Sequence, residues 1–449
     1  MADWRRRLTS KPAPIILLGF VVVILVGAVL LMLPISSQSG EWTSFLDALF
    51  MSTSTTCVTG LVIEDTATYW SFFGQLVILI LMEIGGLGVI TFTVGISMLL
   101  GKKVGFMQRW ILQESLSAPQ AGGILRETRF IIKVSVILQL VGAGLLAVRF
   151  VPMFGWAEGL WSALFTSVSA FTGAALDLMG TVEPYSSLTA FSSDAYVIIV
   201  VCILIISGGI GFLTWIDIRN HGLRFREYTL QTKLVIVTTA ILLGGAFLFF
   251  FFYEFSLPQW EDLTLGEQVL VALFQSVAPR TAGFNVVDLG LMSDAGRAVT
   301  IFLMFVGTSP GSTGGGIKVT TLAVLAVTSQ SVFRGRKHAE CFGRRIPTKV
   351  QRNAIAVLTV YLGLLLLSTL LLNCVEGVAI GDALFEATSA LSTAGMSLGT
   401  TRTLSSFGLV ILMALMFFGR AGGLTMMYAL VEHEEPRGAK YPQESVIVG

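Results

Sequence analysis

The chain has 449 residues, of which 54% are hydrophobic and only 13% charged, with a mean hydropathy of +0.80. Soluble domains carry about 25% charged residues, so the composition is that of a membrane protein, and the net charge of +1 without a basic domain argues against nucleic acid. Cys57, Cys202, Cys341 and Cys374 show no repeated spacing and His221, His338 and His433 no metal-ligand pattern, so no disulfide framework, zinc site or nucleophile–base set is legible.

In chain order, the N-terminal stretch MADWRRRLTSKPAP leads into an apolar run at 15–35. That run exceeds the 7–15 residues of a signal-peptide core and is long enough to cross a bilayer, so it reads as an uncleaved first span with its arginines inside. Further long apolar runs fall near 71–100, 130–153, 195–218, 233–256, 296–330, 353–374 and 405–431, which makes eight candidate spans. Between them lie four segments too short to span, at 42–54, 158–171, 266–278 and 381–392. Segments of that length are core helices or re-entrant ones.

The short segments share a core: DALFMSTSTTCVTGL, SALFTSVSAFTGAAL, VALFQSVAPRTAGFN and DALFEATSALSTAGM. Their Leu-Phe pairs stand at 49–50, 164–165, 273–274 and 384–385, a period of about 110 residues. The order long–short–long therefore occurs four times, the pattern of an internal repeat. Positive charge orients it. Of the 29 Lys and Arg, only Arg149, Arg297 and Arg402 fall in outer loops, and Arg280, Lys318 and Arg420 lie in apolar context; the others fall on the side of the N-terminus. The outer loops are acidic (Glu64, Asp65, Asp177, Glu183, Glu261, Asp262, Asp288, Asp294), which would concentrate cations at the mouth. Every short segment then enters from outside.

Irregular backbone at membrane depth is tolerated where it is buried in protein or lines water. The loops after the short segments, TTCVTGL (55–61), FTGAAL (171–176), PRTAGF (279–284) and STAGMS (392–397), contain no carboxylate. They offer carbonyls, threonine hydroxyls and glycine, which permits positive φ. Loops whose carbonyls converge can replace a cation's water shell.

With TTCVTGL in the first loop, PRTAGFN in the third and STAGMS in the fourth, the chain resembles the Trk/Ktr/HKT superfamily of potassium transporters over nearly its whole length. Within it the chain is most similar to the bacterial Ktr membrane subunit (KtrB or KtrD). The resemblance implies an all-α polytopic fold of four helix–pore loop–helix repeats in pseudo-fourfold arrangement around one pore, with eight spanning and four re-entrant helices. The divisions are a cytosolic N-terminus at 1–13, repeats at 14–104, 105–222, 223–332 and 353–432, a basic cytosolic loop at 333–352, and a tail at 433–449. The implied selectivity filter, holding potassium through backbone oxygens, comprises Cys57, Val58, Thr59 and Gly60; Gly173, Ala174 and Ala175; Thr281, Ala282 and Gly283; and Thr393, Ala394 and Gly395. The second repeat departs from the family pattern, with Ala175 where a glycine is expected, and reduced potassium selectivity is the expectation.

Glycine clusters follow each filter loop: GGLG (85–88), GGIG (208–211), GTSPGSTGGGIK (307–318) and GRAGGL (419–424). Close packing of helices in lipid accounts for the first two. The third, with Pro310, cannot be a regular helix and should line a cavity. The resemblance implies that 306–318 is an intramembrane gating loop, with Gly307, Ser309, Gly311, Ser312, Gly314, Gly315, Gly316 and Lys318 forming the gate. It also implies a pore-facing role for Arg420, where the alternative is a structural ion pair. Glu83 would pair with Arg420, pair with Lys318, or be an exposed acid at a helix end. Arg280 would be buried at the end of its pore helix with an acid as partner, or be a surface loop residue.

No dinucleotide-binding or phosphate-binding glycine loop is present. The chain is thus expected to carry no cofactor, with potassium as substrate and sodium as a second candidate ion, and any ATP or ADP bound by a partner. The partner implied is a cytosolic nucleotide-binding regulatory ring of the KtrA/KtrC type, with the basic loop as its docking surface. The tail YPQESVIVG is assigned to a homodimer interface. Localisation is expected in the cytoplasmic membrane with both termini cytosolic. Potassium uptake through a gated, sodium-dependent pore is the leading function. A secondary transporter of another small solute and an intramembrane enzyme are the alternatives, the latter lacking any catalytic set.

Overall fold

The computed structural model describes residues 12–102, 104–116, 122–423 and 425–426. The segment 1–11 and the tail 433–449, and with it the assigned dimer contact, lie outside the described residues. Among the described residues four helices are each long and apolar enough to cross a membrane: α1 (Pro12–Met32), α6 (Ile124–Phe154), α10 (Leu230–Phe252) and α14 (Thr348–Glu376). Their apolar residues do not form a single stripe. Leu18, Leu25 and Val29 of α1 and Leu362, Leu366 and Leu370 of α14 are exposed, as expected where the solvent is lipid.

Each long helix leads into a short one: α2 (Phe45–Thr56), α7 (Trp156–Thr172), α11 (Leu265–Val277) and α15 (Ile380–Ser392). The phenylalanine of every Leu-Phe pair (Phe50, Phe165, Phe274, Phe385) has 0% exposure. The first two pairs of helices dock by the same device. Ser52 donates to the Ile24 carbonyl and Ser167 to the Gln139 carbonyl, both at 2.7 Å. Gly27 and Gly142 leave the space, since a methyl at either would collide with that serine hydroxyl.

The chain then returns through α3 (Phe72–Leu87), α8 (Ala195–Gly209), α12 (Asp294–Phe305) and α16 (Ser406–Ala421). Each starts on a side-chain cap (Ser71, Asp194, Ser293, Ser405) accepting from a first-turn N–H, which satisfies donors that would otherwise be orphaned.

These returning segments depart from the expectation of eight continuous spans. The run at 71–100 breaks at Gly88 into α3 and α4 (Val89–Leu99), which differ in direction by 99°. The run at 195–218 breaks before α9 (Phe212–His221) with a turn of 93°. The run at 296–330 is two helices, α12 and α13 (Val319–Phe333), joined by a non-helical stretch. The clusters GGLG and GGIG are therefore breaks as well as packing sites: Gly88 and Gly211 have φ of +86° and +88°. Packing matters too. A methyl at Gly85, Gly208 or Gly419 would strike the carbonyl of Thr56, Phe171 or Leu391, at the C-terminal end of the short helix in the same repeat.

Helix α5 (Phe106–Ser115) lies between α4 and α6. The basic stretch 333–352 holds a small hairpin, β1 (Glu340–Cys341) with β2 (Arg344–Arg345), turning on Phe342 and Gly343 at positive φ, and its last residues begin α14.

Candidate functional site

The loops leaving α2, α7, α11 and α15 have one backbone pattern. Two residues, spaced two apart, take positive φ: Val58 and Gly60, Gly173 and Ala175, Thr281 and Gly283, Thr393 and Gly395. Non-glycine residues rarely adopt this region, so its occurrence at eight equivalent places is a property of the loop. Alternating left-handed with ordinary backbone turns successive carbonyls to the same side. The N–H groups are spent on the helix behind: Thr59 donates to Ser54 O (2.7 Å), Ala174 to Ser169 O (2.9 Å), Gly283 to Ala278 O (3.1 Å) and Ala394 to Ser389 O (2.8 Å). Carbonyl oxygens are left to face the other loops.

Close approaches link the loops in a cycle. A methyl built on Gly60 would meet the Ala174 carbonyl, one on Gly173 the Thr281 carbonyl, one on Gly283 the Ala394 carbonyl, and one on Gly395 the Thr59 carbonyl. The contacts run first to second, second to third, third to fourth and fourth to first. The methyl of Ala175 reaches the glycines of all three other loops, including 2.6 Å from a Cβ placed on Gly395. In a ring of four, only a group near the centre touches all the others. The sequence-level departure at Ala175 thus stands at the middle of the ring, with φ +57°.

Gly60, Ala175, Gly283 and Gly395 open together onto one cavity of about 190 Å³, which Asp65, Asp177, Asp288 and Arg402 also line. Burial pushes the Asp177 carboxyl up to about 6, against the lowering effect of the Met179 N–H, with Asp65 adding to the rise. The Arg402 guanidinium stacks on Tyr185, 4.0 Å from the ring centroid, and the Tyr185 N–H donates to Asp65 at 3.0 Å.

On the other side of the ring lies the stretch 306–318. It is held by Ser309 N–H to Gly209 O (3.1 Å) and Phe212 N–H to Gly311 O (2.7 Å) at the break between α8 and α9. It also reaches the ring directly: the Gly315 N–H donates to the Thr393 hydroxyl at 2.9 Å. A methyl at Gly314 would collide with the Thr281 hydroxyl. Ser312 donates to Thr308 and to the Ser309 carbonyl, and Lys318 donates to the carbonyls of Gly314 (2.6 Å) and Gly315 (3.2 Å). Gly307 packs where a side chain would strike the Gly315 carbonyl, and Gly316 packs closely on Ser392.

The three charges predicted near the site find partners other than those expected. Arg420 donates to the Thr313 carbonyl and to the carbonyls of Gly85 and Gly86. The latter stand at the broken C-terminal end of α3, where a cation is favoured; the Gly85 carbonyl also accepts from the Gly88 N–H at 3.1 Å. Glu83 pairs with neither Arg420 nor Lys318 and is not an exposed acid; it accepts from the Gln139 amide at 2.8 Å and is half-buried. Arg280 is buried as expected, at 7% exposure, but no acid faces it among the described residues. It donates to the Thr239 hydroxyl and the Gly307 carbonyl, both at 3.4 Å. For the two arginines a break in secondary structure supplies carbonyl dipoles, which a sequence does not display.

Sequence reasoning missed Glu386. It is wholly buried one residue after the fourth Phe and accepts from Ser397 and Thr401 hydroxyls at 2.6 Å and from Leu398 N–H at 3.1 Å. It anchors the segment that follows Gly395. The signal was an acid inside an apolar short helix.

Apolar spans and broken helices around a ring of four loops define a multi-pass membrane protein. Residues 9–441 match the family TrkH, described as cation transport protein, and the chain belongs to that family; it is a transport protein, not an enzyme. It is 39% identical to the potassium/sodium uptake protein NtpJ of Enterococcus hirae, over 99% of this chain and 98% of that protein. It is 37% identical to the Ktr system potassium uptake protein B of Bacillus subtilis, over 98% and 97%. Its fold matches the crystal structure of the potassium transporter TrkH from Vibrio parahaemolyticus with a TM-score of 0.72, at 19% identity, covering 94% of this chain and 85% of that one.

Proposed function

We propose that the chain takes up potassium across the cytoplasmic membrane through a pore on the axis of the four loops, with sodium as a coupled or competing ion. The observation that carries this reading is the cyclic contact of the loops beneath one cavity lined by Asp65, Asp177 and Asp288. Carbonyls around an axis replace a cation's hydration shell, and carboxylates above it raise the local cation concentration. The filter consists of Val58 to Gly60, Gly173 to Ala175, Thr281 to Gly283 and Thr393 to Gly395, with Cys57 ending the first pore helix. The names of the relatives, a potassium/sodium uptake protein and a Ktr system potassium uptake protein, support the choice of ion and favour a cation over the organic solute of the alternative reading.

In this reading the stretch 306–318 is the gate, and its bonds to Thr393, Lys318 and Arg420 hold it against the inner end of the filter. Its state is set by a cytosolic nucleotide-binding ring of the KtrA/KtrC type docking on the basic loop 333–352, and the chain works as a homodimer with its termini in the cytosol. Potassium uptake in a bacterial strain lacking its own systems, with and without sodium, tests the proposal. Wild type should rescue growth at low potassium. Gly283→Asp, which puts a carboxylate where even a methyl would collide with Ala175 and the Ala394 carbonyl, should not. Equal rescue by both would remove the filter assignment.

A further inference from the structure

The break at Gly88 turns α4 99° from the span before it, so that if α3 crosses the bilayer, α4 runs along its face. The next helix, α5, exposes Phe106, Met107 and Trp110, with Phe106 at 83%, and buries Ile111 and Leu112. Exposed aromatic residues on such a helix mark the headgroup layer. Between α4, α5 and the start of α6 lies a cavity of about 590 Å³ walled by Lys102, Arg109, Arg126 and Arg129 together with apolar side chains such as Met98 and Leu125.

Among the described residues no carboxylate lines this cavity; Glu114 and Glu127, on the same helices, stand outside its wall. Among the described residues Lys102, Arg126 and Arg129 make no ion pair, and Arg109 donates only to the Val104 carbonyl at 3.3 Å. Helix α6 starts at Gly123 without a side-chain cap, so its N-terminal partial charge adds to theirs. Four like charges converging on one concavity call for an anion. The apolar wall and the place at the membrane face call for one that carries acyl chains.

We propose that this cavity binds an anionic phospholipid, with the phosphate among Lys102, Arg126 and Arg129 and the chains against Met98 and Leu125. Basic pockets between helices at the positively charged face are suited to such headgroups. The site takes in the C-terminal end of α4, so the lipid braces the helix that leaves the Gly88 break. The inference rests on the membrane setting and not on which ion is carried.

The test is lipid binding and thermal stability of the purified full chain, with phosphatidylglycerol compared with phosphatidylcholine. Phosphatidylglycerol should bind in preference and raise the melting temperature. Arg126→Gln with Arg129→Gln should cut that preference about thirtyfold, from ~1 kcal/mol per cation at an anionic surface and 1.4 kcal/mol per factor of ten. Lys102→Gln, placed in a loop, should cut it about fivefold on the same scale and serves if the double variant does not fold. Arg334→Gln with Arg336→Gln, in the basic loop, should leave it intact. Several results overturn the proposal: equal stabilisation by the two lipids, an unchanged preference in both cavity variants, or the same loss in the basic-loop variant. Stabilisation by inorganic phosphate alone would instead make it a site for a free anion. Cavity variants that keep the lipid preference but lose stimulation by a soluble partner would make it a protein-docking face.

Discussion

Ala175 holds a φ of +57° where its counterparts Gly60, Gly283 and Gly395 hold +92°, +66° and +85°. Left-handed backbone costs an L-residue roughly 1 kcal/mol, and here it aims the methyl at the other three loops. Ala175→Gly should remove both the strain and the obstruction. It is expected to stabilise the chain by about 1 kcal/mol and to raise potassium uptake relative to sodium; an unchanged ion ratio would separate the methyl from selectivity. Asp177 acts in the cavity above. Asp65 and Asp288 share the cavity, with Arg402 and Tyr185 at its rim; burial, with a smaller push from Asp65, raises the Asp177 carboxyl to about 6. Above that pH it is charged and, on the proposed reading, draws cations in; below it, that charge is lost. Initial uptake rates measured against external pH should therefore fall as pH drops through about 6 in the wild type. Asp177→Asn should be slower at neutral pH and flat across that range, and a wild-type profile with no inflection there would dissociate the group from transport. The sequence exposed both residues, one as a departure from a repeat and the other as an outer-loop acid. That Ala175 would face the axis required the backbone conformation, because only at positive φ does Cβ lie on the carbonyl side.

At the scale of elements, lengths and positions of the short helices were legible because each carries a buried Phe and ends in hydroxyl residues. The breaks were not. Glycine is common in membrane helices for close approach, so GGLG and GGIG look like packing signals. What decides the break is tertiary: the carbonyls of Gly208 and Gly209 are taken by Thr313 and Ser309 N–H, so the bonds that would continue the helix are made by another segment. The stretch 306–318 was recognisable from Pro310 and its glycines, yet its link to the filter through Thr393 was not, since threonine in a filter loop reads as a carbonyl donor. Thr393→Val keeps the shape and removes the acceptor for the Gly315 N–H. Leaving that buried donor unpaired costs about 1–3 kcal/mol. The expected result is a loosened loop, seen as faster hydrogen exchange at 314–316 and higher uptake without any soluble partner. Unchanged exchange would show that Lys318 and Arg420 hold the loop unaided.

For the whole molecule, the sequence repeat explains why the four loops can meet but not what keeps them in register, since each loop bonds chiefly to its own short helix. Arg420 acts across repeats. From the fourth it grips the Thr313 carbonyl in the third and the α3 terminus in the first. A positive intramembrane residue suggested an acidic partner, and Glu83, likewise set in an apolar run, was a candidate. The structure uses helix-end carbonyls instead, because the break of α3 at Gly88 brings its last-turn carbonyls to Arg420 at the spot where three repeats converge. Hydrogen bonds to a charged group contribute about 1.5–3 kcal/mol each, so one side chain accounts for much of the contact between repeats at this level. Arg420→Gln should lower the melting temperature of the purified protein, and it should also release the Thr313 end of the loop and, on the proposed reading, remove a positive charge below the filter. If the arginine is only a brace, uptake per folded molecule will stay constant or fall. If it is also the barrier to cations passing inward, uptake per folded molecule will rise even as stability drops, and measuring both on one preparation distinguishes the two.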